Sequence, residues 1–528
     1  MPTPTRARAH RRTAVLAVAS AATAAAVLLA AGCSDGGKDG GTPDQPTDLA
    51  VQELEWSACR APSAEEGSGT APSPLPGGGR WECAFMEAPL DYGDVEGDTI
   101  ELALIRARAT DPARRIGSLI FNFGGPGGSG ITALPSFAKE FEELRTRYDL
   151  VSFDPRGVGR SEGVECQDDR ELDAFLSLDA SPDDAREEEA YQKGLKDFAA
   201  ACEENSGHLL PHVGTVDAAR DLDLIRAVLG DDKLHYFGIS YGTELGGVYA
   251  HQFPERVGRA VFDAVVDPTG TAEQGALAQT RGFQLAFRNF AADCVKRGEA
   301  CKLPGGSVEE IEKFVGDLLA RLDKKPVAGM GDRKLGQTQA INGIVQALYS
   351  KQYWPYLEQG IDEADGGQGA LLLALSDSMT GRDQNGNYNN LQAANTAIGC
   401  VDDKARFSLE DAKAKLPEFR EASPLFGPFL GWGLSGCSHW PVPGTRDHPD
   451  VSAKGAAPIL VIGNTGDPAT PYGGAKRMAE ALGKGVGIEV TYRGEGHGAY
   501  TGGDACVRRT VNGYLLDGKV PRSGTVCP

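Results

Sequence analysis

The chain has 528 residues, 41% of them hydrophobic and 24% charged, which excludes a stapled mini-scaffold, a disordered polymer and a membrane-embedded bundle. Lys and Arg number 53 against 74 Asp and Glu, a net charge of −21, and no basic run beyond the N-terminus offers a phosphate footprint, which argues against nucleic acid as a partner. Glycine, at 69 residues, is roughly twice its usual share of about 7%, the composition of a chain with many tight turns.

Arg6, Arg8, Arg11 and Arg12 precede an uncharged Ala/Val/Leu-rich stretch from Thr13 to Ala31, the layout of a secretory signal peptide over residues 1–32. It ends in Leu28-Leu29-Ala30-Ala31-Gly32-Cys33, which resembles a bacterial lipobox. The Cys33 thiol would then carry a diacylglycerol and hold the mature protein on the outer face of the cell membrane. The aliphatic residue usual three places before the cysteine is here Ala30, with Leu29 one place further back. Cleavage as an ordinary signal would instead give a freely secreted protein, and Arg11-Arg12 leaves the export route open. Ser34 to Leu49 is Gly/Asp/Pro/Thr-rich, so residues 33–55 read as a flexible linker.

Without Cys33 the 11 cysteines become an even ten, which suits an oxidising compartment. They fall as neighbours along the chain: Cys59 with Cys83, Cys166 with Cys202, Cys294 with Cys301, Cys400 with Cys437, and Cys506 with Cys527. Sequence alone does not prove that pairing. No CxxC spacing or Cys/His cluster marks a metal site, and no cofactor is expected. The polar stretch Ala61 to Gly79 reads as a surface loop closed by Cys59 and Cys83.

Folded structure is expected from Trp56. Thr99 to Ala107 alternates like an exposed strand, whereas Ser118 to Phe123 and Leu150 to Phe153 are short apolar runs typical of buried parallel strands. Val216, Ala219, Leu222, Ile225 and Leu229 have helical spacing, and the strand-like Leu234 to Phe237 follows at once. Strand and helix alternate, which implies a mostly parallel central sheet with function at its carboxyl edge.

At that edge stands Gly238-Ile239-Ser240-Tyr241-Gly242, then a helix-compatible run to Phe253. A sharp strand-to-helix turn needs glycines beside the serine and lifts its hydroxyl out at a helix N-terminus. Serine attack on an acyl group creates an oxyanion that must be met by preplaced N–H donors. Gly124-Gly125-Pro126-Gly127-Gly128-Ser129-Gly130, after the strand at 118–123, supplies a loop able to aim bare amides; it lacks the Gly-Lys-Ser/Thr end of a phosphate loop and dinucleotide spacing. The amides of Tyr241 and Gly125 are the expected oxyanion donors.

The serine also needs a histidine base and an orienting carboxylate. Of the eight histidines, His10 lies in the signal, His208 and His212 in a polar loop, His439 and His448 in a Pro/Gly-rich stretch, and His235 and His251 flank the elbow at structural positions. His497 sits in a glycine turn after Gly487 to Tyr492, which reads as the last strand. Asp467 sits in the turn after the buried strand Ala457 to Asn464. The order Ser240, Asp467, His497 is that of α/β-hydrolases.

Together with Trp56 to Cys59, Cys83-Ala84, Pro89-Leu90-Asp91-Tyr92, Gly117 to Leu119, Asp154-Pro155-Arg156-Gly157-Val158-Gly159-Arg160-Ser161 and Phe253 to Val257, these motifs resemble the actinobacterial tripeptidyl aminopeptidases and their relatives in the prolyl aminopeptidase group, several of them exported lipoproteins. Phe123, where prolyl aminopeptidases usually have His, leans toward the tripeptidyl branch. The resemblance implies an α/β-hydrolase core in two parts, 56–267 and 447–528, around an inserted helical lid at 268–446. It also implies hydrolysis of peptides from a free N-terminus. In the insertion Ile311, Phe314, Val315, Leu318, Leu319 and Leu322 have helical spacing and read as lid core. An aminopeptidase must bind an α-ammonium, for which Asp402, Glu244, Asp263 and Asp267 are the candidates; Asp154 and Arg156 are expected to fix the loop after their strand. An exported esterase with the same triad, and a non-catalytic peptide-binding lipoprotein, are the alternative readings.

Overall fold

Short runs rich in β-branched and aromatic residues become strands where turns bound them. In the computed structural model, which describes residues 48–61 and 71–528, these are β1 (Ser57–Ala58), β2 (Glu82–Pro89), β3 (Thr99–Ala107), β4 (Gly117–Asn122), β5 (Tyr148–Phe153), β6 (Leu234–Ile239) and β7 (Val257–Asp263). A hairpin of β8 (Val327–Ala328) and β9 (Lys334–Leu335) intervenes before β10 (Ile459–Gly466), β11 (Gly487–Glu495) and β12 (Thr525–Cys527). The signal peptide, Cys33, most of the linker and residues 62–70 of the loop between Cys59 and Cys83 lie outside the described residues.

Ten strands form one sheet in the order β1-β2-β3-β5-β4-β6-β7-β10-β11-β12. Pairing is antiparallel through β3–β5 and parallel from β5 onward. β4 is buried at every position, with Ile120 in the core on one face and Leu119 and Phe121 in the core on the other. Both faces are covered, so the strand needs no polar side. The alternation of Thr99 to Ala107 is misleading for the same reason: only Thr99 and Glu101 are exposed, because β3 lies inside the sheet between β2 and β5. Nor is β11 the last strand; β12 adds an edge beyond it.

Around the sheet pack α1 (Gly130–Ser136), α2 (Asp169–Phe175), α3 (Ala185–Ser206), α4 (Thr215–Val228) and α5 (Tyr241–Gln252). Between β7 and β10 come eight helices among the described residues: α6 (Ala272–Arg297), α7 (Val308–Lys324), α8 (Gln337–Leu348), α9 (Trp354–Asp365), α10 (Ala370–Thr380), α11 (Leu391–Asp402), α12 (Leu409–Ala422) and α13 (Gly427–Gly433). The chain closes with α14 (Gly473–Leu482) and α15 (Ala505–Asp517). The predicted stripe lies on α7, which buries Ile311, Val315, Leu318, Leu319 and Leu322 in a core built almost wholly from the insertion, with Phe287 and Phe290 of α6 and, from beyond β10, Ala469. Each such side chain is worth about 1.5–3 kcal/mol of burial. Sheet and insertion belong to one compact unit.

Arg156, after β5, is fully buried and forks onto both oxygens of the equally buried Asp221 of α4 at 2.7 Å each. It also donates to the carbonyls of Pro89, Leu90 and His212, while the Tyr92 hydroxyl donates to Asp221 at 2.9 Å. One guanidinium thus ties the end of β2 and the loop after β5 to α4. The five disulfides join Cys59–Cys83, Cys166–Cys202, Cys294–Cys301, Cys400–Cys437 and Cys506–Cys527, each between neighbours in sequence. Among the described residues no helix is long and apolar enough to cross a membrane.

Candidate active site

β6 ends at Ile239 and α5 begins at Tyr241, so Ser240 alone makes the turn, at φ 57° and ψ −127°. Such backbone costs a residue with a Cβ about 1–3 kcal/mol. The surroundings impose it. A Cβ on Gly238 would lie 2.3 Å from the Gly242 carbonyl oxygen, and one on Gly242 would lie 2.5 Å from that of Asn122, so strand, turn and helix approach as only glycine permits. Ser240 N–H donates to the Asp263 carbonyl at 3.1 Å, and the Ser240 carbonyl accepts from the amide and hydroxyl of Thr243 at 2.8 and 2.7 Å.

The glycine loop after β4 lies against this turn. A Cβ on Gly124 would come within 2.6 Å of the Ile239 carbonyl oxygen and 2.9 Å of Ser240 Cβ. Gly124 N–H is spent on Asn122 Oδ1 at 3.0 Å, whereas Gly125, next along, is exposed. The far end of the loop is held by Asp154, whose Oδ1 accepts from the Ser129 hydroxyl at 2.6 Å and the Ile131 amide at 3.1 Å, with Oδ2 taking the Arg160 amide at 2.9 Å. Burial pushes the Asp154 carboxyl up from its usual range, and the hydroxyl and amides facing it oppose that.

Asp467 follows β10 and His497 follows β11, both at the carboxyl edge. His497 Nδ1 lies 2.9 and 3.1 Å from the two Asp467 oxygens. The Asp467 side chain is fully buried, and its Oδ1 also accepts the amides of Ala469 and Thr470 at 3.0 and 2.9 Å. Burial pulls the imidazole pKa down, but the Asp467 charge and hydrogen bond, with a contribution from Asp263, outweigh it and leave His497 above its ordinary value.

The four candidate acids for an ammonium fall into three settings, two of them apart and one shared. Asp263, at the end of β7, is fully buried and accepts the amides of Ala499 and Tyr500 at 3.0 and 2.9 Å. It anchors the turn that carries His497 and is not left to meet a substrate amine. Asp267 is likewise engaged, by the amide and hydroxyl of Thr269 and by Arg477 Nε at 2.6 Å. Glu244 and Asp402 do come together, around Arg446 at 2.7 and 3.0 Å. Asp402 also accepts the Thr215 amide at 2.9 Å, and the Thr215 hydroxyl is 2.6 Å from that of Tyr241. Burial raises both carboxyls and Arg446 opposes it; Arg446 Nη1 is buried without a hydrogen-bond partner. Sequence reasoning missed Arg446, which stands 202 residues from Glu244 and carries no local signal.

The insertion touches the other parts of the site. A Cβ on Gly127 would lie 2.9 Å from the Asn395 amide nitrogen of α11, whose side-chain amide donates to the Pro126 carbonyl at 3.0 Å. A Cβ on Gly282 of α6 would lie 2.4 Å from the Pro468 carbonyl oxygen.

A mostly parallel sheet with helices around it, a serine on the turn between β6 and α5, and a carboxylate–imidazole pair beyond β10 and β11 define an α/β-hydrolase. The profile of the "alpha/beta hydrolase fold" family matches residues 117–302, and that of "TAP-like protein" matches residues 423–527. The chain is 39% identical over 526 residues to "Serine protease Hip1" of Mycobacterium tuberculosis, covering 96% of each. It is 34% identical to "Carboxylesterase B" of the same species, covering 94% of each, and 31% identical to "Tripeptidyl aminopeptidase" of Streptomyces lividans, covering 90% of this chain and 86% of the relative. The chain belongs to the α/β-hydrolase family of enzymes, in the group that holds the tripeptidyl aminopeptidases and Hip1-type serine proteases.

Proposed function

We propose that this protein is an exported serine exopeptidase that releases short peptides, tripeptides foremost, from free N-termini by way of an acyl-enzyme. The observation that carries the reading is the strained Ser240 turn at the same sheet edge as the Asp467–His497 pair; the names of the peptidase relatives supply the substrate class.

With Nδ1–H donated to Asp467, His497 keeps Nε2 free to take the Ser240 proton as the hydroxyl attacks the scissile carbonyl. The oxyanion is met by the amides of Tyr241 and Gly125, the Gly124 amide being engaged elsewhere. The imidazolium returns its proton to the departing amine, and a water, activated in the same way, releases the acyl peptide. Glu244 lies one helical turn from Ser240 on α5 and, with Asp402, carries more negative charge than Arg446 balances when both are ionised. An α-ammonium bound there would complete the balance. Cys33 anchors the mature chain to the outer face of the cell membrane, with the disulfides suiting that compartment.

The test is a panel of free and N-acetylated mono-, di- and tripeptidyl arylamides beside simple acyl esters. Preferred release of a free tripeptidyl group supports the proposal. Equal cleavage of blocked and free peptides, or turnover of esters alone, overturns it.

A further inference from the structure

The turn that carries His497 is seated on the insertion, and one residue makes the seat. His497 N–H donates to the carbonyl of Tyr349, just past α8, at 2.7 Å. The Tyr349 ring meets the imidazole edge to face, with centroids 5.1 Å apart and planes at 80°. Gly496, at φ +96°, has its α-carbon pressed on the same residue: a Cβ there would lie 2.9 Å from the Tyr349 carbonyl oxygen and 3.4 Å from Ser350 Cα. Behind Tyr349 stands Phe283 of α6 at 6.0 Å, itself 5.8 Å from Phe426, so the contact is backed by the core of the insertion.

We infer that Tyr349 is a positioning residue for His497, its carbonyl fixing the height of the turn and its ring fixing the plane of the imidazole. This rests on His497 being the base for Ser240. The hydrogen bond from Nδ1 to Asp467 restrains one edge of the ring, but the side-chain torsion of a histidine about its ring bond is soft, so one edge does not settle where Nε2 points. The Tyr349 ring supplies the second restraint. It comes from the insertion, not from the hydrolase core, so the inserted helices are part of the catalytic apparatus and not only a cover over it.

Tyr349→Phe keeps the ring, Tyr349→Leu keeps an apolar side chain without it, and both keep the carbonyl. The readouts are kcat and KM on a tripeptidyl arylamide and the rate of inactivation by a small fluorophosphonate, which needs Ser240 and His497 but no peptide subsite. Tyr349→Leu is expected to lower kcat and the inactivation rate together by about 10-fold or more, since ~1 Å of misplacement costs up to about 10²-fold. KM should change little, and Tyr349→Phe should restore both rates. If Tyr349→Leu does not fold, Tyr349→Met, whose flexible chain fills irregular gaps, carries the same test. Unchanged rates in the ringless variant overturn the inference. So does a loss confined to the peptide substrate, which would make Tyr349 a substrate contact. A wild-type protein that fluorophosphonate does not inactivate would overturn the triad itself.

Discussion

The proposed mechanism asks one oxygen of Ser240 and one nitrogen of His497, so single-atom changes separate that chemistry from the fold. Ser240→Ala is expected to lower turnover by about 10³-fold or more while leaving the thermal midpoint unchanged or higher, because only the proposed nucleophilic oxygen is lost. Unaltered turnover in the purified variant would remove the elbow from the mechanism. His497 accepts a proton only when neutral, and its pKa lies above 6.5 because Asp467 and Asp263 favour the imidazolium more than burial opposes it. The acid limb of kcat/KM should therefore fall as pH drops through a value above 6.5; a limb centred below 6.5 would contradict that balance. At the amine end, acetylating a good tripeptidyl substrate is expected to lower kcat/KM by at least about 10²-fold, and Glu244→Gln should narrow the gap by hurting free-amine substrates selectively. Ser240, Asp467 and His497, the proposed triad, are legible in sequence because each stands just after a strand-like run in a fixed order. Asp263 and Asp267 stand as amine candidates in sequence because spacing does not reveal which amides or cations engage a carboxylate. Arg446 with Glu244, Asp263 with Ala499 and Tyr349 with His497 each meet across more than 140 residues.

Among the elements, β6, the Ser240 turn and α5 form a unit legible from Gly238-Ile239-Ser240-Tyr241-Gly242 alone, since both glycines sit where a Cβ would strike backbone. The helix predicted from Val216 to Leu229 is α4, displaced by one residue at each end. Exposure was the harder quantity: β3 alternates in sequence yet is buried on both faces, because what covers a strand is decided by elements far along the chain. The same distance hides the role of Arg156, whose loop motif stands 65 residues from Asp221. Replacing it with Met would leave a fully buried carboxylate without its charge partner, and removal of one partner from a buried pair costs about 3–5 kcal/mol. Arg156→Met is thus expected to lower the denaturation midpoint sharply, whereas the exposed pair Lys313–Asp317 on α7 can be broken at little cost. Equal effects of the two changes on urea denaturation would refute the anchoring role of Arg156.

At the scale of the whole molecule, the stripes of α7 and α8 are legible as helices of an insertion but do not say where it rests, since its contacts with the site run through glycines and main-chain carbonyls. α11 lies on the loop after β4, α6 on the turn after Asp467, and Tyr349 on the turn of His497, so three turns of the site have the insertion against them. The proposed exopeptidase reading calls for access by chain ends and not by folded surfaces. A tripeptide joined to a stable folded domain should be released only when the spacer lets the scissile bond pass the insertion. An extended chain covers at most about 3.3–3.6 Å per residue, so release should be slow with a spacer of two or three residues and rise steeply until a length of about ten residues clears the roughly 30 Å of a small domain. Beyond that it should plateau, because the domain no longer collides with the insertion. Mass spectrometry of the shortened domain, for a series of Gly/Ser spacers behind one N-terminal tripeptide, reads this directly. Release at one rate whatever the spacer would mean that the site is open to folded substrates, and the restriction to chain ends would have to come from recognition of the amine alone.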